Sequence, residues 1–307
     1  VDPDRSVDPV TLSAGDTELT VLVDLGMVAS SLRHGGEEFV SFHGGVAAVR
    51  GGHTTGVPLL APWANRLRGP DYRAGDRSVA VVGTPGVHLD ANGLPIHGTM
   101  VGRAGWVADP VRSTGSGRSG ATATLSASFD ASADLDVMTS FPFAHRLTVE
   151  YRLEPARLTV STTLEATGAV AVPVCFGWHP YFRLPGGDRD RWTLELPTRR
   201  HLALDELQLP TGVSEDEPAE LVLLAGRSFD DGYALGEDRR FALSGSGRRI
   251  EITFGGAYPF AQLYAPVGSP FVAVEPMTAS TDALTRAATA CVAPGQHLTA
   301  TFAVELS

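Results

Sequence analysis

Two ionisable residues stand where a chain rarely leaves them. His179 lies inside the run VCFGWHPYF (174–182) and Glu275 inside FVAVEPMT (271–278), each among apolar neighbours and each followed at once by proline. Proline restrains the residue before it to extended geometry and cannot donate a ladder hydrogen bond, so both positions mark the end of a buried strand. A carboxyl group among apolar side chains is pushed up towards the range of a general base at neutral pH, where histidine already titrates. Together they suit proton transfer to and from a substrate. Either one alone also fits a structural role: a satisfied core histidine, or a glutamate paired with an arginine.

Further polar groups could grip a substrate. Asn65 and Arg66 end the run PLLAPWAN, and arginine offers a rigid fork of donors. His97 sits in the glycine- and proline-bounded loop NGLPIHG, and Asp230 and Asp231 interrupt the apolar stretch SFDDGYAL. Singly, Arg66 could bind a loop carbonyl, His97 could satisfy backbone groups, and the aspartates could be an ordinary turn. Trp63, Phe176, Trp178, Tyr181, Phe182 and Tyr264 lie near these groups in sequence. Most aromatics are core, but an aromatic wall with a polar rim is what a pyranose requires. Trp178 is therefore a candidate sugar-facing residue.

The elements that must hold these groups read as strands. Ala121, Ala123, Leu125, Ala127 and Phe129 alternate with Thr and Ser; Leu147, Val149, Tyr151 and Leu153 do so with polar residues, and a turn at 155–157 leads into 158–164. The same pattern recurs at FALSGSGRRIEITF and from Leu298 to Leu306. Asp282 to Ala290 is the best helical candidate, while 112–120 and the acidic run 205–220 read as surface loops. Half-apolar sheets must cover their inner faces, which predicts an all-β, antiparallel β-sandwich.

Composition agrees and excludes. The 34 glycines and 21 prolines favour short elements joined by turns, and 307 residues without a clear linker are expected to form one domain, 1–307. There is no lysine, so Schiff-base chemistry is excluded. A net charge of −11 argues against nucleic-acid and anionic-membrane partners. Cys175 and Cys291, far apart and in apolar contexts, read as buried reduced thiols. The polar start VDPDRSVDPV and the absence of a long apolar run predict a soluble, cytoplasmic protein, monomeric or homodimeric.

Five motifs in order, APWANRLRG, NGLPIHG with GRAGW, GWHPYF, FDDGYAL and VAVEPMT over residues 61–278, resemble the aldose 1-epimerase (galactose mutarotase-like) family. The resemblance implies a large antiparallel β-sandwich, Glu275 as general base and His179 as general acid. It also implies that Arg66, His97 and Asp230 position a sugar, and that no metal or organic cofactor is needed. Asp230 is preferred to Asp231 on the following aromatic, Tyr233. Arg183 after Phe182 departs from the galactose-acting members, and Arg66, Arg68, Arg73 and Arg183 could instead suit a hexose 6-phosphate. A binding module without turnover is a further reading, which the presence of both an acid and a base disfavours. Glycoside hydrolysis would ask for two acidic catalytic residues, and only Glu275 has such a setting.

Overall fold

A computed structural model describes residues 7–115 and 120–307. Its strands assemble into a ten-stranded and an eight-stranded sheet with a four-stranded sheet at the N-terminal side, and every pairing between named strands is antiparallel. The predicted alternations are strands of the large sheet. Thr122–Asp130, His145–Glu154, Arg157–Ala166 and His297–Leu306 are consecutive neighbours, and Arg248–Phe254 and Arg240–Gly245 continue it. In the His145–Glu154 strand every second residue is buried, so one face of the sheet is apolar.

That face is covered by the eight-stranded sheet, whose central path runs through Phe229–Leu235, Phe260–Ala265, Val272–Met277 and Gly177–Trp178. Trp178, from the smaller sheet, stands edge-on to Tyr151 and Phe302 of the larger, each about 6.0 Å away between ring centres. Its indole nitrogen donates to Thr162 Oγ1 at 2.9 Å. The sandwich core therefore lies against one face of the smaller sheet and leaves its other face free to carry polar groups.

Several expectations change. The helical candidate forms successive turns through Ala287, and Ala290 already opens the strand Ala290–Val292; Asp282 and Ala287 have φ of 63° and 51°. The Asp282 carboxylate is held across the fold by the Arg68 backbone N–H and guanidinium, at 2.9 and 2.8 Å, a tertiary constraint that outweighs local propensity. The acidic segment is not simply a loop, because Pro210–Glu217 is a largely exposed edge strand of the smaller sheet. Charge on an edge strand disfavours pairing with other chains. The hairpin over 112–120 is bracketed by the pairing of Thr114 with Thr122, while 116–119 and the first six residues lie outside the described residues. Both cysteines are free, Cys175 buried but Cys291 exposed. No helix among the described residues is long and apolar enough to cross a membrane.

Candidate active site

Along Val272–Met277 the side chains alternate. Val272 and Val274 enter the sandwich core, whereas Ala273 and Glu275 share the opposite face with Phe271 and Tyr181. Antiparallel register places Gln262 opposite Glu275 and Tyr264 opposite Ala273, and Asp230 opposite Tyr264 one strand further. His179 follows Trp178 and so turns away from the core; its backbone N–H donates to Pro58 O at 3.1 Å. Arg66 and His97 come from two loops stitched edge to edge, with His97 N–H donating to Asn65 O at 3.0 Å and an isolated bridge between Arg66 and Ile96. Asn65 and His97 both hold positive φ, 58° and 64°, a left-handed conformation that costs energy outside glycine and recurs at functional sites. After His97, Gly98 is required: a Cβ there would lie 2.1 Å from Ala61 O.

These side chains converge. Thr54, Asn65, Arg66, Ile96, His97, His179, Tyr181, Asp230, Gln262, Tyr264 and Glu275 line one cavity of about 200 Å³. That is below the roughly 300–1,000 Å³ typical of drug-sized ligands, so it suits a small solute. His179 Nε2 is 3.2 Å from Glu275 Oε1, and both residues are almost fully buried. Burial pushes Glu275 well above its ordinary range; nearby Asp230 adds to this and Arg66 opposes it. Burial also pushes His179 well below its ordinary value, and His97 reinforces the effect. Both causes favour the uncharged form of each group. His97 is likewise depressed, to about 3, by burial first and then by Arg66. It is a neutral hydrogen-bonding group at physiological pH.

Second contacts orient the grips. Arg66 Nε donates to Asp90 Oδ2 at 2.7 Å, and Asn65 Oδ1 accepts from the Arg66 backbone N–H and from its guanidinium. Asn65 therefore holds Arg66 as well as lining the cavity. Burial raises the pKa of Asp230, against the opposing effect of Arg66 and a 2.9 Å hydrogen bond donated by Gln262 Nε2. Asp231 faces the other way, with Oδ1 3.2 Å from His201 Nε2, so Asp230 is the aspartate at the cavity.

One expected site residue is elsewhere. Trp178 is fully buried between the two sheets, because adjacent residues of a strand point to opposite faces. Trp63, Phe176 and Phe182 are likewise core, and the aromatic lining comes from Tyr181 and Tyr264. Gln262, Thr54 and the Arg66 partner Asp90 escape sequence reading. For Gln262 a signal exists, a lone amide in the apolar strand FAQLYA, but its relation to Glu275 needs the register. Among the described residues, no group of three or more His, Cys, Asp or Glu side chains could hold a metal ion.

Comparison with known proteins agrees with this architecture. The family model described as aldose 1-epimerase matches residues 12–304. A galactose mutarotase-like protein from Clostridium acetobutylicum superposes with a TM-score of 0.84 at 15% identity, over 98% of this chain and 96% of that one. The Slr1438 protein from Synechocystis gives 0.80 at 19% identity, over 100% and 98%. A galactose 1-epimerase from Lactobacillus acidophilus gives 0.77 at 15% identity, over 100% and 96%. At such identities these likenesses establish the fold. No curated protein matches the sequence.

Proposed function

The chain belongs to the aldose 1-epimerase family, and from that premise we propose that it interconverts the α and β anomers of a free aldose by general acid-base catalysis. The observation that carries this reading is the 3.2 Å contact between His179 Nε2 and Glu275 Oε1 in a small cavity otherwise lined by hydroxyl-binding groups. The pair shares one proton. Before a substrate binds, burial keeps it on Glu275 and leaves His179 neutral. Moving that proton across the contact makes a carboxylate base and an imidazolium acid together. Glu275 then takes the proton of the sugar's C1 hydroxyl while His179 gives one to the ring oxygen; the C1–O5 electron pair leaves with that oxygen and C1 becomes a carbonyl. After rotation about C1–C2 the steps reverse on the other carbonyl face, and both protons return. Arg66, His97 and Asp230 hold the hydroxyls in place. A binding module would have no use for this pair.

A free sugar fits better than a sugar phosphate. Among the described residues Arg66 is the one arginine lining the cavity, and it is bonded to Asp90, whereas Arg68 is bonded to Asp282 and Arg73 and Arg183 are exposed outside the lining. The Asp230 carboxylate, whose charge already acts on Glu275, would repel a dianion. Polarimetry on freshly dissolved α-glucose and α-galactose should show relaxation faster than in buffer, with glucose 6-phosphate turned over less efficiently than glucose. No acceleration with any aldose would leave the binding module as the better reading; efficient turnover confined to glucose 6-phosphate would reassign the substrate.

The pH profile follows from the shared proton. Below the depressed His179 ionisation, which lies under 6.5, the pair gains a second proton and the base is lost. Above the raised Glu275 ionisation, which lies well above 4.5, the pair is stripped and the acid is lost. Turnover should therefore be bell-shaped, with macroscopic limbs belonging to the pair. An alkaline limb at or below pH 4.5 would contradict the assignment.

A further inference from the structure

Anomer exchange sets a geometrical condition at C1. A site that turns over both anomers must hold the sugar ring with its C1 oxygen on either side, and within reach of Glu275 in each case. Two oxygen positions at C1 are therefore served by one carboxyl group. The hydrate of an aldono-δ-lactone carries an oxygen at both positions at once. It has the ring and the hydroxyls of the aldose, and differs from it only by an oxygen in place of the C1 hydrogen.

The second condition concerns protons. In anomer exchange, ring closure returns each proton to the group that held it, so the direct contact is needed only to charge the pair. A one-way reaction makes a heavier demand, because each turnover leaves the base loaded and the acid spent. The 3.2 Å contact between His179 Nε2 and Glu275 Oε1 meets that demand where both side chains are almost fully buried. The other carboxyl oxygen, Glu275 Oε2, is buried and has no hydrogen-bond partner among the described residues, which leaves it to meet an O–H brought by a substrate.

We propose that the Glu275–His179 pair also hydrolyses aldono-δ-lactones, the cyclic esters of sugar acids, with water as the second reactant. The inference rests on the reading of Glu275 as base and His179 as acid. Glu275, as carboxylate, takes one proton from the water whose oxygen bonds to C1, and the carbonyl electron pair moves onto the carbonyl oxygen. That pair then re-forms the carbonyl while the C1–O5 bond breaks; its electrons stay on O5, which takes the proton of the His179 imidazolium. Lactone and water have become an open-chain aldonic acid, Glu275 is protonated and His179 is neutral. Passing the Glu275 proton to Nε2 across the contact restores the charged pair for the next cycle.

The electrostatics suit this sequence. As Glu275 is protonated, its negative charge passes to the adjacent C1 oxygen and stays beside the His179 imidazolium and within the field of Arg66, which already acts on Glu275. The acid product ionises to a carboxylate, which the charge of Asp230 disfavours in the cavity, so release follows hydrolysis.

The test sets acid release from glucono-δ-lactone, followed in a pH-stat under mildly acidic conditions, beside polarimetry of α-glucose with the same full chain. Acid release should rise with protein concentration, saturate with lactone, and proceed for the bound lactone about 10²-fold or more faster than in buffer. An aldose that the protein turns over should inhibit it competitively. Glu275→Gln and His179→Asn should each lower the rate by about 10²-fold, with circular dichroism showing that each variant is folded. Acid release no faster than in buffer, whether or not the lactone slows anomer exchange, would overturn the inference while the polarimetry leaves the epimerase reading intact. Hydrolysis by Glu275→Gln at the wild-type rate would overturn it as well. Hydrolysis without turnover of any aldose would uphold the lactonase assignment and remove the epimerase reading.

Discussion

Glu275→Gln is expected to lower turnover by about 10²–10⁴-fold, the range over which a positioned general base contributes. The amide keeps the shape of the carboxyl group and the space it fills opposite Gln262, but it cannot take the C1 hydroxyl proton. His179→Asn should cost a similar factor. The double variant should lose little more than either single one, since two groups that share one proton act as a unit. Stability should move the other way. The Glu275 pKa is raised in the fold, so above 4.5 the unfolded chain ionises while the native carboxyl stays protonated, and native stability falls until pH passes the folded value. Glutamine removes that cost, and urea unfolding near pH 8 should find Glu275→Gln at least as stable as wild type. A variant that loses both activity and stability would point to a structural role for Glu275.

Trp178→Ala should destabilise the protein by about 3–5 kcal/mol, the usual cost of removing a large buried aromatic side chain. The indole fills the space between the sheets against Tyr151 and Phe302, and its loss also leaves the buried Thr162 hydroxyl without that donor. Thermal unfolding should shift down by roughly 5–8 °C in a chain of this size. The milder Trp178→Phe separates the two roles considered for this residue. If the ring faced the sugar, KM would rise; with the ring in the core, melting temperature falls and KM stays near wild type.

The alternation of apolar and polar residues was sufficient to read the strands of the large sheet, because a sheet with one buried face imposes a period of two on its sequence whatever its partners are. The placement of His179 and Glu275 was legible for a related reason. Each is an ionisable group in an apolar run closed by proline, an arrangement with few local explanations. The turns at 282–287 were not legible, because the carboxylate of Asp282 is fixed by Arg68, more than two hundred positions away.

What the sequence by itself determined is therefore the class of fold, the strand pattern and the two groups able to exchange protons, since these depend on residue type and short-range periodicity. Which face each strand turns inward depends on which sheet covers it, so only the tertiary structure decided that Trp178 is core while its neighbour His179 reaches the cavity, and that Asp230 rather than Asp231 does so. Register across strands likewise brought Gln262 opposite Glu275, and the meeting of two distant segments set Thr54 beside Tyr181. Such contacts join residues that are not neighbours in the chain, and no local pattern encodes them.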